Sequence, residues 1–212
     1  MRFLVKNNES PIFREGLTYQ KGRTENNKNL CDALLMEQLG FCAYTEWYLK
    51  RTDSPEVEHF NPELKYRDDY FNYYAVSRNA NQRKLKRDRR EEFRNAAFMT
   101  SLFFQKTETL HNRIRYVPED YVYEAVDPND QDAVLLLEYL GMNDYALVED
   151  RRQHAERVIA TCKEHSWSNE VILSYFKKNP AELSFITDLE LGLSMDLSPA
   201  IPEKPIILDT TD

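Results

Sequence analysis

The chain is expected to fold as an α+β protein, mainly α, and three observations predict this. No glycine lies between Gly40 and Gly141, and residues 63–117 contain neither Gly nor Pro. The stretch Asn79 to Arg113 is rich in Arg, Lys, Glu, Gln, Ala, Leu and Met, which favour helix. Against that background, Phe41 to Leu49 is crowded with aromatics and Glu56 to Phe60 alternates polar and apolar residues, as strands do. With 212 residues, 42% of them hydrophobic and 12% aromatic, the chain can bury a sizeable core, which excludes a disordered or collagen-like class.

Each element follows from local chemistry. Residues 1–36 form an N-terminal segment. The run 41–49 reads as a strand, Lys50 to Pro55 supplies a turn, and Glu56 to Phe60 a second strand, so a β-hairpin is expected over 41–60. A long helix over 79–113, interrupted at most once, comes next. Asp127-Pro128-Asn129-Asp130 caps a helix that stops at Gly141. Further helices are expected over 144–165, with Leu147, Val158 and Ile159 on one buried face, and over 169–178, ended by Pro180. Residues 198–212 hold three prolines and read as an extended tail. The organisation is then 1–36, a ββα module at 37–100, a helical region at 101–197 packing on it, and the tail.

No apolar run is long enough for a membrane helix, and Met1 to Asn8 lacks a secretory pattern, so no membrane association is expected. Cys31, Cys42 and Cys162 cannot all pair and no Cys-x-x-Cys occurs, which predicts free thiols and a reducing, cytoplasmic setting. The net charge of −8 hides a strong asymmetry. Residues 78–94 carry eight basic and three acidic side chains, a local +5, leaving −13 for the remainder; residues 117–150 hold ten acids and no Lys or Arg.

Strand, strand, helix, with His59 closing the second strand and asparagines at and before the helix, resembles the ββα-metal (His-Me finger) site of HNH endonucleases. The pattern is most similar to the defence-associated HNH subfamily that includes the nucleases of Septu systems and Septu-containing retrons. The residues that carry the resemblance are Cys42-Ala43-Tyr44-Thr45-Glu46, Glu58-His59-Phe60-Asn61-Pro62-Glu63-Leu64-Lys65, Asn72-Tyr73 and Ser77-Arg78-Asn79-Ala80-Asn81-Gln82-Arg83-Lys84. Val126-Asp127-Pro128 and Gly141 extend it, so that it covers roughly residues 25 to 165.

The resemblance implies phosphodiester hydrolysis assisted by one divalent metal, Mg²⁺ or Mn²⁺. His59 would be the general base, Asn72 the residue bracing its loop, and Asn81 and Glu58 the metal ligands. Adjacent strand residues point to opposite faces, so Glu58 shares a metal with His59 only if the strand ends or bulges there. Arg83, Lys84, Lys86 and Arg87, leaving the site on one helix, would contact the phosphates of DNA without reading its sequence. The implied partner is an ABC- or SMC-like ATPase of the same anti-phage system, with residues 117–150 and the tail as docking surfaces. Subfamily members hold a structural zinc on two pairs of cysteines. Here Cys42 remains, with Thr45, Ser77 and Ala80 at the other three positions, so no structural zinc is expected. Burial of Phe41, Tyr44, Trp47, Phe71, Tyr73 and Tyr74 would take its place.

Each residue also has an ordinary reading: His59 as a turn or core histidine, Asn72 as a cap, Asn81 as a first-turn polar residue, the basic run as a solvated helix face. The rival whole-chain reading is a catalytically degenerate HNH fold kept as a protein-interaction or DNA-tethering subunit.

Overall fold

The computed structural model describes residues 1–67 and 69–208. Two short helices, α1 (Pro11–Glu15) and α2 (Thr24–Glu37), lead into the strand β1 (Pro55–His59). Its partner is β2 (Tyr73–Ser77), antiparallel, with Pro55 opposite Ser77 and His59 opposite Tyr73. The helix α3 (Arg78–Leu85) starts without a linker, because Ser77 Oγ accepts from the Ala80 amide at 3.3 Å and caps it. The fold is α+β and mainly α, as expected, and a strand–strand–helix unit is present.

The strands are not the expected pair. Residues 41–49 fold back on themselves: Phe41 bridges Tyr48, the Cys42 amide donates to the Trp47 carbonyl at 2.8 Å, and Glu46 turns the corner with φ 60. Aromatic content argued for an extended strand, but tertiary demand bends the segment. Tyr44 packs into the core around β2, while Phe41 and Tyr48 pack into a second core formed by the C-terminal helices. One extended strand would put Tyr44 and Tyr48 on the same face and Phe41 on the other, whereas Phe41 and Tyr48 share one core and Tyr44 lies in the other. β2, a run of consecutive buried residues, carries no alternation to announce it.

The long helix over 79–113 is likewise corrected. After α3 come α4 (Glu91–Arg94), α5 (Phe98–Ser101) and α6 (Thr107–Arg113), with Leu102 in the left-handed region at φ 46. Phe93, Phe98 and Phe104 are all fully buried. On one straight helix Phe93 and Phe98 would stand about 140° apart, so only a broken path brings both to the Tyr139 ring.

A second hairpin, β3 (Ile114–Val117) with β4 (Val122–Ala125), was not foreseen. It precedes α7 (Gln131–Leu140), capped by Asp130 and ended by Gly141 in the left-handed conformation, as the sequence indicates. The next two helices, α8 (Tyr145–Glu164) and α9 (Asn169–Lys178), also lie where expected, whereas α10 (Ile186–Leu193) is an addition. Residues 198–208 are not extended. They form two single 3₁₀ turns and dock: Pro205 is buried against Gly40, whose φ of +84 and contacts leave no room for a side chain. The expected tail's last residues, 209–212, lie outside the described residues. No described helix is long and apolar enough to cross a membrane.

Candidate functional site

The loop between β1 and β2 is clamped at its base. Asn72, 4% exposed, accepts from the Asn61 amide at 2.7 Å and donates to the Asn61 carbonyl at 3.0 Å. Its own carbonyl accepts from the Phe60 amide at 2.9 Å. The residue immediately before that pair is His59. Asn72 therefore fixes the backbone next to His59. Phe60 anchors the same corner from the core side, its ring 4.6 Å from that of Phe104 and 5.5 Å from that of Tyr139.

His59 itself is half-buried, its ring held edge-on between Tyr19 at 5.0 Å and Tyr73 at 5.1 Å. Strand alternation sets His59 and Val57 on one face of β1, and Glu56 and Glu58 on the other. Helix α3 meets the second face. Asn81 donates to Glu56 Oε2 at 2.7 Å, and one turn later Lys84 donates to Glu58 Oε1 at 2.7 Å. Lys84 also reaches Asp88 at 2.9 Å and the His59 carbonyl at 3.3 Å. The Tyr139 hydroxyl lies 2.6 Å from the same Asp88 oxygen and 2.8 Å from the Phe60 carbonyl, two acceptors for its one proton.

Two expectations need correction here. Glu58 was expected as a metal ligand beside His59, but it is buried and engaged by the Lys84 ammonium at 2.7 Å. Burial raises its carboxyl above the usual range, an effect that Lys84 offsets only in part. Lys84 was expected on DNA, but it is fully buried in this ion-pair network and cannot touch a polyanion.

The other basic residues divide. Arg87 is bound to Asp144 at 2.6 Å, and Arg90 to Glu138 at 2.9 Å, so acids of the 117–150 stretch neutralise part of the basic run from within. Arg83 is half-buried, and its Nε makes no hydrogen bond. Lys86 is exposed. Only Lys86 of the four proposed phosphate contacts presents itself freely in the way the sequence reading required.

Of the four positions that the resemblance would make zinc ligands, Cys42 and Ser77 meet. Cys42 Sγ lies 3.8 Å from Ser77 Oγ and accepts from the Ser77 amide at 3.3 Å, while Ser77 caps Ala80. Thr45 Oγ1 accepts from the Trp47 amide at 3.3 Å, holding the turn. A thiol–hydroxyl–amide chain thus ties the 42–47 turn to the start of α3. The aromatics expected to compensate are buried or packed against the core.

Comparison with protein-family models, curated proteins and solved structures gives no match.

Whether the chain can hold a divalent cation is a question of donors. Among the described residues no group of three or more His, Cys, Asp or Glu is arranged around a common point. Asn81, however, is 8% exposed, and its Oδ1 is buried without a hydrogen bond. An orphaned buried acceptor of this kind costs about 1–3 kcal/mol. It borders a cleft of about 840 Å³ that also exposes Tyr19, Arg23, Lys28, Pro55, Glu56 and Val57. Three consecutive β1 residues line the cleft, so it opens on the strand's unpaired edge. Oxygen donors of the carboxylate and amide type suit Mg²⁺, which retains several waters and needs few protein ligands. The donor set fits such an ion.

Sequence reasoning missed Glu56, although its spacing of two from Glu58 already placed both on one strand face. It also missed a second polar constellation, drawn from distant segments. The Met1 amino group is paired with Glu46, Tyr116 donates to Asp188, and fully buried Arg151 stands 3.9 Å from the other Asp188 oxygen. Burial favours the neutral carboxyl of Asp188 and moves its pKa up to about 7, despite Tyr116 and Arg151. For Glu46, also buried, the Met1 ammonium overcomes the opposing effect of burial and holds the pKa at about 2.

Proposed function

We propose that the chain is a divalent-metal-dependent endonuclease of the HNH type, hydrolysing phosphodiester bonds of DNA as the effector of an anti-phage complex with an ABC- or SMC-like ATPase. The observation that carries this reading is the Asn72 clamp on Asn61, directly behind His59, within a strand–strand–helix unit. In that arrangement His59 takes the proton of the attacking water, and Asn72 keeps the imidazole-bearing corner rigid. Asn81 offers an oxygen to the cation. The bound ion would offset charge on the phosphate and the departing oxygen. The approach of Cys42 to Ser77, which in turn caps Ala80, supports the same reading.

The test is plasmid cleavage by purified protein in Mg²⁺ or Mn²⁺, with and without the co-encoded ATPase, comparing wild type with His59→Ala and Asn72→Ala. Cleavage lost in both folded variants is the expected result. Cleavage that persists unchanged in His59→Ala refutes the assignment.

One observation favours a second reading, a degenerate HNH fold retained for protein interaction or DNA tethering. The Lys84 ammonium occupies the carboxylate that an acidic metal ligand beside His59 would need, as happens when a cation site is replaced by an internal ion pair. Binding of DNA or the ATPase with no cleavage under any of these conditions is what that reading expects.

A further inference from the structure

We propose that Glu56, and not Glu58, is the carboxylate that joins Asn81 in holding a divalent cation, at the unpaired edge of β1. The proposal rests on the metal-dependent reading above and changes its ligand set.

The argument is geometric. Asn81 Nδ2 donates to Glu56 Oε2 at 2.7 Å, which fixes the amide relative to the carboxylate. That bond uses one oxygen of Glu56 and leaves Asn81 Oδ1 buried with no donor. The other carboxylate oxygen, Glu56 Oε1, pairs with the Arg78 Nε at 3.6 Å, beyond hydrogen-bond distance, and the Arg78 side chain is 67% exposed. Two oxygens of complementary type are thus available side by side: one neutral and unsatisfied, one anionic and weakly engaged. A divalent cation would satisfy both.

Glu58 cannot serve in the same way. Moving its carboxylate to a metal would strand the fully buried Lys84 ammonium and break the network to Asp88 and Tyr139. Glu56 carries no such obligation. Its side chain is 38% exposed, so waters can complete the coordination sphere from the cleft. Arg23 lines the same cleft and would supply positive charge for a phosphodiester that approaches the ion, while Lys28, also at the cleft, is paired with Asp32 at 3.6 Å.

The experiment uses the full chain and Mn²⁺ as the probe, following free Mn²⁺ by electron paramagnetic resonance and heat by titration calorimetry. Far-UV circular dichroism confirms folding of each variant. Wild type should bind one Mn²⁺, and Glu56→Gln and Asn81→Ala should each weaken it by at least about tenfold, since loss of even an outer partner costs 10–100-fold. Glu58→Gln should bind Mn²⁺ as wild type does, because the Glu58 carboxylate bonds to Lys84 and not to Glu56 or Asn81. If Glu58→Gln does not fold, Glu58→Gln with Lys84→Met, which removes both buried charges, takes its place. Absence of Mn²⁺ binding in wild type overturns the proposal, as does binding that survives Glu56→Gln or is lost in folded Glu58→Gln. His59→Ala separates the two claims. Mn²⁺ bound normally with no His59-dependent cleavage would sink the nuclease reading and leave the cation site standing, whereas His59-dependent cleavage that ignores Glu56→Gln would do the reverse.

Discussion

Replacing Lys84 by methionine keeps most of the aliphatic stem and deletes the ammonium. In the wild type that ammonium is fully buried and lies 2.7 Å from Glu58 and 2.9 Å from Asp88, themselves 6% and 9% exposed. Its removal leaves two shielded carboxylates facing one another with no cation, and losing one member of a buried pair costs about 3–5 kcal/mol. A domain's total stability is of order 5–15 kcal/mol. At about 2–4 °C per kcal/mol for a chain of this length, the melting temperature should fall by roughly 6–20 °C. The pH dependence has a definite sign. Burial already raises the folded-state pKa of Glu58, so the neutral carboxyl stabilises the fold at low pH and that contribution disappears as pH rises through the folded value. Without Lys84 the value rises further, so the deficit of Lys84→Met should shrink on acidification from pH 7 to pH 5. Adding Glu58→Gln should recover part of the loss at pH 7, a coupling that a double-mutant cycle reads directly. The assay is thermal denaturation by circular dichroism at both pH values, with DNA affinity followed by fluorescence anisotropy. If Lys84→Met melts within about 2 °C of wild type, a shift worth under about 1 kcal/mol, while DNA affinity drops, Lys84 acts at the surface and the burial argument is refuted.

Asn72→Ala strands the amide and carbonyl of Asn61 and should destabilise the fold by about 2 kcal/mol in urea denaturation; a loss under about 0.5 kcal/mol, the range of an ordinary surface change, would mean the clamp is dispensable. Asp188 has its pKa raised to about 7, so its contribution to stability is present at low pH and fades as pH rises from about 4, the unfolded value, to the folded one. Asp188→Asn should remove that slope, which urea midpoints of both proteins at pH 5 and pH 7.5 will show; parallel slopes would contradict the assignment. Gly40 and Gly16 both have positive φ, but a methyl at Gly40 meets Pro205 at 2.9 Å and the Tyr48 ring at 3.2 Å, whereas Gly16 has open space. Alanine at Gly16 should cost only the left-handed backbone term of about 1–2 kcal/mol, and alanine at Gly40 clearly more, unless residues 198–208 are not docked as described.

What the sequence revealed follows physical locality. The Asp130 cap, the Gly141 stop and the bounds of α8 and α9 are short-range signals, and each element lies where they place it. Glu56 to His59 alternates because β1 has two different faces, and that too was legible. Its partner strand was not, since Tyr73 to Val76 is buried on both faces and carries no alternation. The bend at 42–47 depends on two cores claiming adjacent aromatics, information spread over Phe3, Tyr74 and Phe176. Lys84 reads in sequence like Arg83 and Lys86. Only the Glu58 carboxylate across the helix–strand interface decides that it lies inside. Of the candidate site, the bracing place of Asn72 was expected from the resemblance alone and not from any local pattern, while Glu56 emerged only when α3 was laid against β1.

Cys42 Sγ and Ser77 Oγ stand 3.8 Å apart, and a tetrahedral zinc with ~2.3 Å bonds would hold two sulphurs about 3.8 Å from each other. That pair thus has the spacing a metal staple would need, while ordinary polar contacts do the fastening. Cysteine placed at 77 would bring a second sulphur to that distance, so a variant with cysteine at 45, 77 and 80 is the one in which zinc uptake would turn a hydrogen-bonded joint into a coordinated one.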